Sequence, residues 1–136
     1  MEYQVARMRL AVVLDAGLSG GPAANAAAIV MGGLCCAGFG DPIEDADGHS
    51  HAAILWNLVV LKAKSPLHLL KLIRAARLEA VRAVAFTSRG QDLSNSFEVY
   101  KQDIRSNHTA ELGIVAVGLF GREEQVRSLT RTFSLF

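Results

Sequence analysis

Four runs of consecutive apolar residues, each followed by a stretch with helical spacing, constrain this chain more than any other feature. The first lies in Arg7–Asp15, which reads Arg-Met-Arg-Leu-Ala-Val-Val-Leu-Asp. The others span Ala53–Ala63, Val81–Thr87 and Leu112–Phe120. A strand with one wet face alternates apolar and polar residues, whereas an unbroken run is what a strand covered on both faces carries. The stretches between them read as helices. Ala23–Cys36 is helical by propensity, with Pro22 in its first turn, where a missing N–H costs nothing. Ser65-Pro66 opens a second helix that places Leu69, Leu70, Ile73 and Ala76 on one stripe and runs to about Leu78. After the expected loop Ser88–Asp92, a third helix starts near Ser94 or Asn95. There Asn95 and Glu98 have capping-box spacing, and Phe97, Tyr100 and Ile104 share a face. The last helix follows Gly121, with Glu123 and Glu124 early, Arg127 and Arg131 late, and Val126, Leu129 and Phe133 as its buried stripe. Strands alternating with helices predict an α/β fold, a three-layer sandwich with helices on both faces of one sheet. Its 136 residues correspond to a single α/β domain, residues 1–136.

The mean hydropathy of +0.26 is high enough to raise the question of a membrane span. The uncharged stretch from Ala16 to Gly40 is long enough to cross a bilayer. Its many glycines, with Pro22 and Asn25 and without flanking basic clusters, fit instead a small-residue helix lying close against a sheet. The first residues show no basic region followed by an apolar stretch, so no signal peptide is expected. The only cysteines, Cys35 and Cys36, are adjacent and unsuited to a stabilising bridge, which predicts a reduced, cytoplasmic protein. They read as small packing residues of the first helix.

The loop Gly17-Leu-Ser-Gly-Gly-Pro22 joins the first strand to a helix N-terminus, where backbone N–H groups can meet an anion. It lacks the lysine of a P-loop and the glycine spacing of a dinucleotide fold, so no cofactor is expected. Asp41, Glu44, Asp45, Asp47, His49 and His51 crowd the next loop. Asp45-Ala-Asp47-Gly48 resembles the middle of a calcium loop, but Ile43 and Ile54 stand where oxygen ligands are needed. His49-x-His51 alone is a weak metal signal, so the segment reads as a solvated acidic loop without metal. Lys71, Arg74 and Arg77, three apart on the second helix with Lys62, Lys64 and Arg82 nearby, form a basic ridge. Such a ridge is ordinarily a solvated helix face, and a phosphate-contacting surface is the alternative. No aromatic residues interleave it to stack on bases.

Several segments together resemble a known fold. They are Leu10-Ala-Val-Val-Leu-Asp15, the glycine-rich turn, the alanine-rich helix, Val84-Ala-Phe-Thr-Ser-Arg-Gly-Gln91, Gly113-Ile-Val-Ala-Val-Gly-Leu-Phe-Gly121 and the ending Phe133-Ser-Leu-Phe136. The pattern is similar to the type II peptidyl-tRNA hydrolase fold, and more closely to its uncharacterised relative, the domain of unknown function 2000 family. The resemblance implies a four-stranded mixed sheet between helices. It also locates two departures. Type II hydrolases carry a lysine in the turn entering the first helix, where this chain has Ser19-Gly-Gly-Pro22. They carry an aspartate after the third strand, where this chain has Thr87-Ser88. A group that steadies a carbonyl or orients a water is not replaced by glycine or proline.

The expected function is therefore binding or regulation of a small molecule or peptide, in a cleft between the Gly17–Asn25 turn and the Thr87–Asp92 loop. Its candidate residues are Ser19, Gly20, Gly21, Asn25, Thr87 and Ser88. The alternatives are a hydrolase acting through Ser88 or His49 and an RNA-phosphate binder acting through Lys71, Arg74 and Arg77. Apolar helix faces allow a homo-oligomer.

Overall fold

The computed structural model describes residues 6–34, 39–93 and 95–136. Strand β1 (Met8–Asp15) is the centre of the main sheet, flanked by β4 (Asn57–Ala63) and β6 (Ile114–Arg122). Its run Leu10–Leu14 is buried throughout, as a strand covered on both sides must be. β1 pairs in parallel with β4 over Arg9↔Asn57 to Asp15↔Ala63, and antiparallel with β6 over Met8↔Arg122 to Leu14↔Ala116. β5 (Arg82–Thr87) adds antiparallel to the far side of β6. The two-residue strand β7 (Ser134–Leu135) pairs antiparallel with β4. The sheet is thus mixed, with five strands in the order β5-β6-β1-β4-β7, and the four-strand expectation is corrected. The missing strand is Ser134–Leu135, too short to leave a pattern in the sequence.

Helices cover both faces. Alternation along β1 sends Ala11 and Val13 to one side, where Leu69, Leu72 and Ala76 of α2 (Pro66–Leu78) and Val126 of α5 (Glu123–Thr130) complete a core. Val12 and Leu14 point the other way and pack with Ala23, Ala26 and Val30 of α1 (Gly20–Gly33). The small residues of α1 allow a close approach to the sheet. A methyl group placed on Gly118 of β6 would stand 3.1–3.3 Å from Met31, Val30 and Leu34. The expected ends of this helix at Cys35 and Cys36 and the turn at Gly38 lie outside the described residues.

Other expectations are corrected in detail. The acidic segment is not an open loop: β2 (Ile43–Glu44) and β3 (Ser50–His51) form a small separate hairpin. The second apolar run is a strand only from Asn57, because Ala53–Trp56 do not pair with the sheet. Ser88–Asp92 is a short helix, α3, rather than a loop. The next helix, α4, covers Phe97–Ser106 with Ser96 as its N-cap, so Asn95 and Glu98 make no capping box. The Ser94 alternative lies outside the described residues. Phe97 is exposed and sits under the Lys101 ammonium, 5.4 Å from the ring centre, instead of joining a buried face. Ser65 does precede α2 with Pro66 at the start, but its side chain makes no cap bond. At the other end of α2, Val81 N–H donates to the Ala76 carbonyl and Ala80 N–H to that of Arg77, a Schellman ending. Ala80 occupies its left-handed position at φ 55°, where glycine is usual. Among the described residues no helix is long and apolar enough to cross a membrane.

Candidate functional site

Strands β1 and β4 run in parallel, and β5 takes the same direction because two antiparallel pairings separate it from β1. Asp15, Ala63 and Thr87 therefore end at one edge of the sheet. From there the chain enters α1 on one face and α2 on the other, so β1 and β4 flank a switch point, the place where open α/β sheets form crevices. The Gly17–Asn25 turn and the Thr87–Asp92 segment each follow a strand that ends here.

The glycine-rich half is open. The Asp15 carboxylate accepts from its own turn at Gly17 N–H, 3.4 Å, and Ala16 N–H donates to the Ala63 carbonyl, 2.9 Å, tying β1 to β4 at the mouth. Ser19, Gly20, Gly21 and Asn25 are all exposed. A methyl group built on Gly20 or Gly21 meets nothing within 4 Å, and Gly20 has the positive φ of 51° that lets the chain turn into α1.

The Thr87 half is closed. Thr87 is buried, and its hydroxyl oxygen accepts from Gly90 N–H at 3.1 Å, capping α3. Burial pushes the Tyr100 pKa above that of an ordinary tyrosine, the neighbouring Thr87 side chain opposes the rise, and the nearby Asp103 carboxylate adds to it. Tyr100 also meets the Phe86 ring edge-on, 6.4 Å between centres. Arg89 pairs with Asp103, which also receives the Asn107 amide at 3.2 Å, so α3 and α4 are pinned together. The exposed Ser88 donates its backbone N–H to the Gly113 carbonyl, 2.8 Å. Among the described residues no hydrogen bond joins the Ser88 hydroxyl to a histidine, aspartate or glutamate.

The remaining candidates lie elsewhere. The hairpin of β2 and β3 leads into the opposite end of β4. Its centre is Asp45, whose carboxylate accepts from His51 Nε2 at 2.7 Å and from the backbone N–H groups of Asp47 and His49 at 2.9 and 3.0 Å. The His51 bond first, and those backbone bonds next, hold the Asp45 carboxyl below its ordinary pKa. The His49 ring nitrogen Nδ1 approaches the Asp45 carboxylate only to 4.0 Å. Among the described residues no group of three or more His, Cys, Asp or Glu is placed to hold a metal ion. The basic ridge divides across α2. Arg74 and Arg77 line a cavity of about 320 Å³ with Val81, Ala83 and Thr109, whereas Lys71 lines another of about 390 Å³ with Lys62, Lys64 and His68. Sequence reasoning grouped Lys62 and Lys64 with the whole ridge, and missed both the place of His68 beside them and the proximity of Thr87 to Tyr100. The available signals were the i, i+3 spacing of His68 and Lys71 and the aromatic face of α4.

Residues 8–136 match a family model described as a protein of unknown function, DUF2000. The chain belongs to this family. Among solved structures, this family member is similar to a protein of unknown function, Atu0240, from Agrobacterium tumefaciens strain C58. The two superpose with a TM-score of 0.82 at 16% identity, covering 97% of this chain and 99% of that one. At that identity the likeness establishes a shared fold and nothing about activity. No curated protein matches the sequence.

Proposed function

We propose that this DUF2000 chain is a binding or regulatory domain for a small molecule or peptide. It is built on a type II peptidyl-tRNA hydrolase-like fold without that family's lysine and aspartate, and it acts in the cytoplasm. The carrying observation is the asymmetry of the candidate cleft. Around Ser19, Gly20, Gly21 and Asn25 the surface is open and made largely of backbone, able to offer N–H groups to a ligand. At the end of β5, where the hydrolases hold an aspartate, Thr87 is buried and its hydroxyl oxygen accepts from Gly90 N–H. An open pole of backbone donors can hold a ligand, and its one nearby carboxylate, Asp15, accepts from the turn's own Gly17 N–H. Among the described residues no base is hydrogen-bonded to the Ser88 hydroxyl, as a hydrolase built on that nucleophile needs.

Native mass spectrometry of the protein as purified tests this reading. The wild type is expected to carry a bound small molecule or peptide, and the Gly21→Leu variant, whose side chain fills the open turn, is expected to be bare at unchanged folding. A wild-type protein that carries nothing overturns the proposal.

A further inference from the structure

Beside the cleft, the other concave surface with a consistent chemistry is the cavity between α2 and the β4–β7 edge. Its α2 wall is His68, Lys71, Leu72 and Ala75, and its sheet-edge wall is Lys62, Lys64 and Ser134. Leu129, Thr132 and Phe133, from the end of α5 and the turn into β7, close it. Among the described residues no carboxylate lines it. The ion pairs among the described residues all lie elsewhere, on Asp45, Arg89, Lys101 and Arg127, so none of the three lysines is neutralised. In a chain of formal net charge +1, three unpaired ammonium groups around one concavity are a local excess that draws anions.

We propose that this cavity binds an anionic small molecule with a phosphoryl-type head and an apolar body. Ammonium groups act as compact point charges, and three of them around one concavity match the charge and several oxygens of a phosphoryl head better than the single charge of a carboxylate. Leu72, Leu129 and Phe133 give the apolar body a surface to cover. At about 390 Å³ the cavity is of small-ligand size. A nucleic-acid strand calls for a run of aromatic platforms along a groove, and among the described residues here only Phe133 and the His68 imidazole supply rings. This site is separate from the cleft proposed above and does not depend on it.

Titration of the full chain with phenyl phosphate and with inorganic phosphate, followed by calorimetry, tests the inference. Phenyl phosphate should saturate at one site and bind more tightly than inorganic phosphate, and added salt should weaken it. Replacing Lys64→Gln and Lys71→Gln together should reduce affinity about tenfold or more, because two charge-assisted contacts are lost. Both lysines are exposed, so an unchanged melting temperature separates lost binding from lost folding. Arg74→Gln with Arg77→Gln, on the other flank of α2, should leave binding unchanged, as should Gly21→Leu. Non-saturating titration of the wild type overturns the proposal. So does an equal loss in the arginine variant, which would mark diffuse attraction, or displacement of phenyl phosphate by single-stranded RNA with loss at Arg74 and Arg77.

Discussion

Replacing Gly90 with alanine probes the packing around Thr87 directly. Gly90 is buried in α3, donates its N–H to Thr87, and faces the aromatic pair beneath it. The added methyl carbon would lie 2.5 Å from Phe86 Cε1, 3.1 Å from Phe86 Cδ1 and 3.0 Å from Tyr100 Cε2. Carbon atoms pack at about 3.5–4.0 Å, so the Phe86 ring must retreat by about 1 Å. That ring is 4% exposed and braced against Tyr100, so it has little room to move. Overpacking of this kind costs about 1–3 kcal/mol. Alanine recovers at most about 1 kcal/mol of helix propensity, less in a five-residue helix. The net expectation is a loss of about 1–2 kcal/mol, which for a domain of this size lowers the melting temperature by about 3–10 °C. The control is Gly21→Ala, the same chemical change where the methyl meets nothing within 4 Å. It should raise stability by up to about 1 kcal/mol. Thermal melts of both variants decide the matter, and a Gly90→Ala protein that melts at or above the wild type refutes the packing argument.

Thr87→Val keeps the shape of the side chain but leaves Gly90 N–H without an acceptor, and denaturant unfolding should show a loss of about 1–3 kcal/mol that Thr87→Ser largely restores; equal losses in both would mean the hydroxyl carries nothing. Ala80→Gly relieves a left-handed residue at the end of α2, and after allowance for the freer unfolded chain it should gain up to about 1 kcal/mol; a destabilised variant would contradict this. A carboxyl whose pKa falls on folding contributes stability at pH above its unfolded value and loses it as pH drops through the folded one. His51→Ala should therefore move the Asp45 carboxyl titration, followed by NMR, up toward its ordinary 3.8, and an unmoved titration would remove His51 as the main cause.

The framework of the fold was legible because burial writes itself into the sequence as pattern. Leu10–Leu14 and Ile114–Leu119 read as doubly covered strands, and Leu69, Ala76 and Val126 fell on the helix faces that are in fact buried. What escaped was held by single contacts or by the edge of the sheet. Ser134–Leu135 becomes a strand only because β4 presents an open edge, and the hairpin at Ile43–His51 depends on Asp45 accepting from three partners. Thr87 illustrates why the site was harder. A threonine after a strand looks equally like an exposed cleft residue or a helix cap, and only the neighbours Gly90 and Tyr100 decide which. The basic cluster was legible as a ridge with Lys62 and Lys64 nearby, but the packing of α2 on the sheet decides that Lys71 and His68 join those lysines while Arg74 and Arg77 face another cavity.

Hydrolysis of an N-blocked aminoacyl-tRNA, beside an authentic type II hydrolase, tests the central claim most directly. The account predicts no release above the spontaneous rate, because Ser19–Pro22 carries no lysine and Thr87 is committed to capping α3. Turnover by the wild-type chain would contradict it and show that other groups on this fold carry the reaction.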